Sequence, residues 1–365
     1  NVVNIHVTLV PYIKAARELK TKPTQQSIAK LREIGLQPQV LMCRTEHALD
    51  AELRQKLSMF CSVAPEAVIE VRDVAHTIYE APLMFHAEGL DALVCKLLGL
   101  QTPEPDLNNW RKFVERVVSP KKRVKIAVVG KYIDLQDAYK SIYESLTHAA
   151  ASQDCGIDLK LIDAERLQDG VDGQLKDVAG VLIPGGFGDR GVEGKIKAAR
   201  FARENKLPYL GLCLGMQVAT IEFARNVCGI ANANSTEFDQ TSSDPVICLL
   251  DEQRDVTNKG ASMRLGTWPT KIQHGSLAEK IYGSDEVLER HRHRYEFNMK
   301  YRDQMREKGF EISGTSPDGS LAELVELRDH PYFLACQYHP EFQSKPNKPH
   351  PLFKAFVQAA LAHQG

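Results

Sequence analysis

From its first residue the chain alternates short apolar runs with amphipathic ones. VTLVPY, QVLMCR and AVIEV have strand length. TQQSIAKLREIG, HALDAELRQKLSMF and EGLDALVCKLLGL space their apolar residues three or four apart, as one face of a helix requires. Strand and helix in alternation predict β/α units on a parallel sheet over residues 1–100. The opening run VVNIHVTLV is apolar enough to read as a strand buried on both faces. Chains seldom start inside such a strand, so this segment is expected to be the later part of a longer domain.

The periodicity breaks at QTPEPDLNN, and a helix-like WRKFVERVV leads into the basic SPKKR, so residues 101–122 read as a linker. From Val124 the rhythm restarts. VKIAVVG, IDLKLID, VAGVLIPGG and PYLGLC are expected strands, and DAYKSIYESLTHAAAS, VEGKIKAARFARENK and GMQVATIEFARNVCG expected helices. PVICLL, FEISGTS, LAELVEL and YFLACQYHP add strands, and LFKAFVQAALAHQ closes the chain as a helix. The fold class is therefore α/β, with two doubly wound domains, the second over residues 123–365.

A chain of 365 residues has room for two cores. Its 46 Lys and Arg nearly balance its 47 Asp and Glu, which argues against bulk nucleic-acid binding and against a membrane surface. With no apolar run of transmembrane length and no signal-peptide pattern, a cytoplasmic protein is expected. The eight cysteines (Cys43, Cys61, Cys95, Cys155, Cys213, Cys228, Cys248 and Cys336) are scattered, with no CxxC pair. They read as reduced thiols, mostly buried, rather than a zinc site or a disulfide framework.

One cysteine stands apart. In GLCLGMQ, Gly211, Cys213 and Gly215 have G-x-C-x-G spacing between an expected strand and an expected helix. A sharp turn there lifts a side chain to the carboxyl edge of the sheet, and the helix N-terminus favours its thiolate. A buried cysteine beside two turn glycines fits this stretch equally well. Two further stretches weigh against that reading. PGGFG, Pro184 to Gly188, follows a strand and frees backbone amides to face an oxyanion. YHPEF sets His339 and Glu341 two residues apart, suited to a general base and the carboxylate that orients it. In KTKPTQ, Lys20 to Gln25, two lysines and a proline sit at the mouth of a helix, which suits a phosphate chain. A solvated basic turn explains that stretch somewhat better on physics alone.

The PGGFG, GLCLGMQ and HPE elements resemble the class I, triad-type glutamine amidotransferases. The resemblance implies that Cys213 attacks the side-chain amide of glutamine, His339 shuttles the proton and Glu341 orients His339. Gly186 and Leu214 would supply the oxyanion amides. LVPY, KTKPTQ, IGLQP, Cys43-Arg44 and RDVAHTIYEAP, with VGKYIDLQDAYKSIYESL, IPGGFGDRGVEGKI, ASMRLG and RHRHRYEFN, are similar to the CTP synthase family from end to end.

That similarity implies ATP-dependent amination of UTP by ammonia released from glutamine. Residues 1–100 would be the later part of a P-loop-type synthetase domain. By matching motif, Lys20, Thr21, Lys22, Pro23, Thr24, Gln25 and Lys56 would bind UTP or the feedback inhibitor CTP. Arg44, Arg72, Asp73 and Val74 would bind ATP. Gly186, Leu214, Gly215, Met216, Gln217, Glu237 and Arg294 would bind glutamine, and Ser262 and Arg264 the allosteric activator GTP. A free amino acid needs partners for its carboxylate and its ammonium, which an Arg and a Glu provide. The family also implies a homotetramer and Mg²⁺.

Two departures stand out. Ser262 occupies a position where the family usually has Thr, and the preceding DEQRDVTNKG is short. No G-x-x-x-x-G-K-[ST] loop is present, so the phosphate loop and the Mg²⁺ ligands are expected in a part that this chain lacks. Two rival readings are another triad amidotransferase and a nucleotide-sensing, filament-forming module without turnover.

Overall fold

A computed structural model describes residues 1–365 apart from 134, 136, 168, 169, 250–262 and 365. The chain divides into two compact units, Asn1–Val118 and Ser119–Gly365. Among the described residues no helix is long and apolar enough to cross a membrane.

The first unit runs β1 (Ile5–Leu9), a hairpin of β2 (Tyr12–Ile13) and β3 (Glu18–Leu19), α1 (Lys22–Glu33), β4 (Val40–Thr45), α2 (Ala51–Cys61), β5 (Val68–Arg72), α3 (Ala81–Ala87), α4 (Leu90–Leu98) and α5 (Asn108–Val118). Strands β1, β4 and β5 form a parallel sheet in that order. Ile28, Leu41, Cys43, Leu57 and Val68 pack its main core. Helix α2 forms where Asp50 caps it, accepting from the Leu53 amide at 2.8 Å, and it ends on Ser62 in the left-handed region.

The structure corrects the reading of the opening run. Ile5, Val7 and Leu9 are exposed, and the polar residues of β1 turn toward α1 instead. His6 bonds Ser27 at 2.9 Å, and Thr8 donates to Thr24 at 3.3 Å. Helix α5 falls within the stretch read from sequence as a linker.

The second unit contains β6 (Lys122–Gly130), α6 (Lys140–Ala151), β7 (Cys155–Asp163), α7 (Asp172–Leu175), β8 (Gly180–Ile183), α8 (Val192–Glu204), β9 (Tyr209–Leu212) and α9 (Leu214–Asn226). It continues through β10 (Ala233–Ser235), β11 (Asp244–Leu249), β12 (Arg264–Ile272), α10 (Leu277–Tyr282), β13 (Glu286–His293) and β14 (Tyr295–Phe297). It ends with α11 (Arg302–Glu307), β15 (Phe310–Thr315), β16 (Ala322–Leu327), β17 (Phe333–Cys336) and α12 (Pro351–Gln364).

Nine strands form one sheet in the order β13-β12-β15-β16-β17-β9-β8-β6-β7. The five from β17 to β7 are parallel, and the other four are antiparallel. Helices cover both faces. Ala127 and Val129 of β6 pack with α8 and α9, and Ile126 and Val128 pack with α6 and α12. Burial on both faces is why these strands read as unbroken apolar runs. A small second sheet has the order β10-β11-β14. In the main sheet, register sets Ile183 beside Gly211 and Cys336 beside Leu212. The three expected chemical stretches therefore leave neighbouring strands at the carboxyl edge, where open α/β sheets bind ligands.

Candidate active site

Cys213 joins β9 to α9 with φ 50° and ψ −101°, a backbone conformation that costs a non-glycine residue about 1–3 kcal/mol. Packing imposes it. A Cβ on Gly215 would lie 2.3 Å from the Ile183 carbonyl oxygen, and one on Gly211 would lie 2.7 Å from the Gly215 carbonyl. Only glycine lets the strand and helix approach so closely. The Tyr209 hydroxyl donates to the Gly215 carbonyl at 2.7 Å, and the Cys213 amide donates to the Cys336 carbonyl at 2.7 Å. Leu214 opens α9, where helix amides have no partner within the helix.

Cys213, His339, Glu341, Gly185 and Gly186 line one cavity of about 360 Å³. Gly185 is wedged between Cys213 and His339: a Cβ there would meet His339 Cε1 at 2.8 Å and Cys213 Cβ at 3.4 Å. His339 Nδ1 lies 2.8 Å from Glu341 Oε1, so Nδ1 carries the proton. Its Nε2 is buried and, among the described residues, has no partner at hydrogen-bond geometry. Burial pushes the imidazole down. Neighbouring Cys213 and then Glu341 outweigh burial and raise His339 to about 10.

The segment carrying His339 lies along β13. The His339 amide donates to the Arg290 carbonyl at 2.8 Å, and Gln343 Nε2 donates to the Leu288 carbonyl at 2.9 Å. Between these two contacts, buried Glu289 accepts from Gln343 at 2.6 Å, from Tyr282 at 2.9 Å and from His350 at 2.8 Å. Tyr282 also bonds Tyr338, the residue before His339, at 2.8 Å. One carboxylate thus clamps both flanks of the His-Pro-Glu turn. Sequence reading missed Glu289, because a glutamate in a strand of alternating charges resembles an exposed one.

Of the expected glutamine residues, Leu214, Gly215, Met216 and Gln217 form the buried first turn of α9. Gln217 points inward, donating to the Tyr295 carbonyl at 3.2 Å and to Gln337 Oε1 at 3.3 Å. Glu237 accepts from the Gly188 amide at 2.7 Å. Burial raises its pKa against the opposing pull of that amide, Lys131 and Arg294. Among the described residues, buried Arg294 Nε and Lys195 Nζ have no hydrogen-bond partner. Lys195, fully buried, is lowered to about 8 by burial, then by Lys131 and Arg190. Tyr132, Tyr139, Phe187, Arg292 and Phe342 complete the cavity wall.

In the first unit the expected nucleotide residues gather near the carboxyl edge of the sheet. Thr24 donates to the Leu9 carbonyl at 3.1 Å, and Thr21 accepts from Gln25 at 3.2 Å, leaving α1 without a side-chain cap. Lys22 and Pro23 are exposed. Lys20 pairs with Glu18, which also feels Lys56 on α2. Arg44 pairs with Asp73, Arg72 with Glu70 at 2.6 Å, and Val74 follows β5. Ser262 lies outside the described residues. Arg264 is only 10% exposed, pairs with buried Glu323 and stacks 5.3 Å over Trp268.

Comparison with known proteins bears on both units. Residues 1–100 match the family profile described as CTP synthase N-terminus, and residues 134–359 match glutamine amidotransferase class-I. A CTP synthase of Syntrophus aciditrophicus is 51% identical over the whole chain, which covers 68% of that protein. One of Methanocaldococcus jannaschii is 54% identical, again over the whole chain and 68% of the relative. The solved Trypanosoma brucei CTPS glutaminase domain with bound acivicin is 41% identical, with a TM-score of 0.62 over 66% of this chain and 94% of that one. With both profiles in chain order and half the residues identical from end to end, the chain belongs to the CTP synthase family.

Proposed function

We propose that the second unit hydrolyses glutamine and that Cys213, His339 and Glu341 carry the reaction. The thiolate attacks the side-chain carbonyl carbon, and the oxyanion that forms sits against the Gly186 and Leu214 amides. Protonated His339 gives its proton to the leaving nitrogen, ammonia departs, and a thioester remains. His339 then takes a proton from water, which attacks the thioester and releases glutamate. Glu341 holds the imidazole with Nε2 available for these transfers. Glu237 and Arg294 are assigned to the ammonium and carboxylate of the amino acid, and Leu214 to Gln217 form the buried helix turn behind Cys213.

One observation carries this reading: a cysteine held at positive φ shares a cavity with a buried His-Glu pair whose second nitrogen, among the described residues, is not committed to another hydrogen bond. The test is glutamate release from glutamine. Cys213→Ala is expected to abolish it, and undiminished release by that variant overturns the assignment.

For the first unit we propose a synthetase role. ATP phosphorylates the uracil 4-oxygen of UTP, and ammonia displaces the phosphate to give CTP. Lys20 to Gln25 and Lys56 are assigned to UTP or inhibitory CTP, and Arg44 and Arg72 to Val74 to ATP. Ser262 and Arg264 are assigned to activating GTP. Among the described residues no group of three or more His, Cys, Asp or Glu side chains converges to hold a metal ion. A cytoplasmic homotetramer completes the proposal. Incubation with UTP, ATP, Mg²⁺ and ammonium chloride tests the synthetase half: CTP formation supports it. Glutamine hydrolysis without CTP limits this chain to the glutaminase step.

A further inference from the structure

Behind Cys213, outside the cavity lining, lies a fully buried side chain to which the reaction above gives no role. Gln337 follows β17, and its Nε2 stands 3.6 Å from Cys213 Sγ, a hydrogen-bond distance for an acceptor as large as sulfur. An amide at a sulfur can present either its N–H or its carbonyl. Here the neighbours decide which.

The Tyr295 backbone carbonyl can only accept, so the Gln217 group 3.2 Å from it must be the NH₂. The same NH₂ reaches Gln337 at 3.3 Å, so the Gln337 atom facing it must be its carbonyl oxygen. The Gln337 NH₂ is therefore left facing the sulfur. Turning either amide over would set two carbonyls, or two NH₂ groups, against each other in a dry interior. The chain of dipoles runs in one direction, from a fixed backbone carbonyl to the nucleophile, and it ends on a donor.

A fixed donor favours the charged form of its acceptor. We infer that Gln337 is a catalytic residue, whose amide N–H hydrogen-bonds the Cys213 thiolate and holds it ionised, with Gln217 as the positioning residue that orients the amide. The inference rests on the glutaminase reading for its purpose, and on the geometry alone for its content. Among the described residues, the titratable and charged groups around the sulfur are His339 and Glu341 on the turn, Arg292, Tyr132 and Tyr139 on the cavity wall, and Cys336 on β17.

The test is the pH dependence of Cys213 alkylation by iodoacetamide, with the label mapped to Cys213 by peptide analysis. Gln337→Leu is expected to raise the midpoint by about one pH unit and to slow alkylation about tenfold at pH well below the midpoint, with the high-pH plateau unchanged. Gln337→Glu places a carboxylate at the sulfur and is expected to raise the midpoint further. Gln217→Leu, which frees the Gln337 amide to turn, gives a second reading without touching the donor, and its midpoint is also expected to rise. Midpoints that stay with the unmodified protein in folded Gln337→Leu or folded Gln217→Leu overturn the inference. Alkylation needs no glutamine, so this result is separate from glutamate release, on which the glutaminase reading stands or falls.

Discussion

The two units place their candidate sites on the same kind of sheet edge and fix them by opposite means. In the second unit, closed packing fixes each reacting group: Gly211 and Gly215 admit no side chain, Cys213 is held at positive φ, and the His339 turn is clamped from both flanks by Glu289. In the first, the charged members of the expected set are long side chains, half or more exposed in the case of Arg44 and Arg72, and tied to carboxylates beside them. Packing can specify a nucleophile to within a fraction of an ångström. Exposed ion pairs can exchange one anionic partner for another at little cost. Rigid bond-breaking chemistry and reversible phosphate binding call for these two designs respectively.

The sharpest way to break the comparison is to remove the nucleophile. Cys213→Ala is expected to lower glutamine hydrolysis by at least about 10⁴-fold, with melting temperature little changed. Glu341→Gln comes next, with an expected fall in kcat of about 10²–10³-fold. The sign of its pH effect follows from His339, whose pKa is raised to about 10 against burial by Cys213 and by Glu341. Losing the carboxylate lowers that pKa, so the alkaline limb of the rate profile moves to lower pH; an unmoved limb would deny Glu341 its role. By the same linkage, the charged imidazole's contribution to stability is complete below about pH 6.5 and is lost as pH rises through about 10.

Glu289→Gln sharpens the comparison further. It keeps the clamp's shape and removes its charge, and kcat is expected to fall about tenfold with the KM for glutamine unchanged. Gly215→Ala drives a methyl into the Ile183 carbonyl and is expected to cost about 3 kcal/mol, read as a loss of several degrees in Tm. The smallest effect is expected in the first unit, where Arg44→Ala shifts Tm by less than about 2 °C while weakening ATP binding. A large stability loss there would mean that the edge is built by packing after all.

What the sequence disclosed follows the same division. Strands buried on both faces, such as β6, and the glycine-bounded elbow were legible because apolar burial and steric exclusion each leave few alternatives at a position. Strands β12 and β13 escaped because their polarity is inverted. β13 buries Glu289, His291 and His293 while Leu288 is 59% exposed, and β12 turns Leu265 and Trp268 outward. β1 misled in the same way, with His6 and Thr8 turned inward. Hydrophobic periodicity cannot detect a strand whose inner face is held by hydrogen bonds. The orientation of Gln337 was illegible for a related reason, since it depends on Tyr295 and Gln217, which are distant in sequence.

The alignment of the His339 segment along β13 has a consequence for inhibition. β13 is the last strand in the order of its sheet, and it holds the base through Leu288, Glu289 and Arg290. A compound that pried this strand away from β12 would shift the His339 turn and, on the same strand, Arg292 of the cavity wall, and so slow turnover without occupying the cavity. Its inhibition is expected to be of mixed type toward glutamine, unlike that of a compound that reacts with the cysteine.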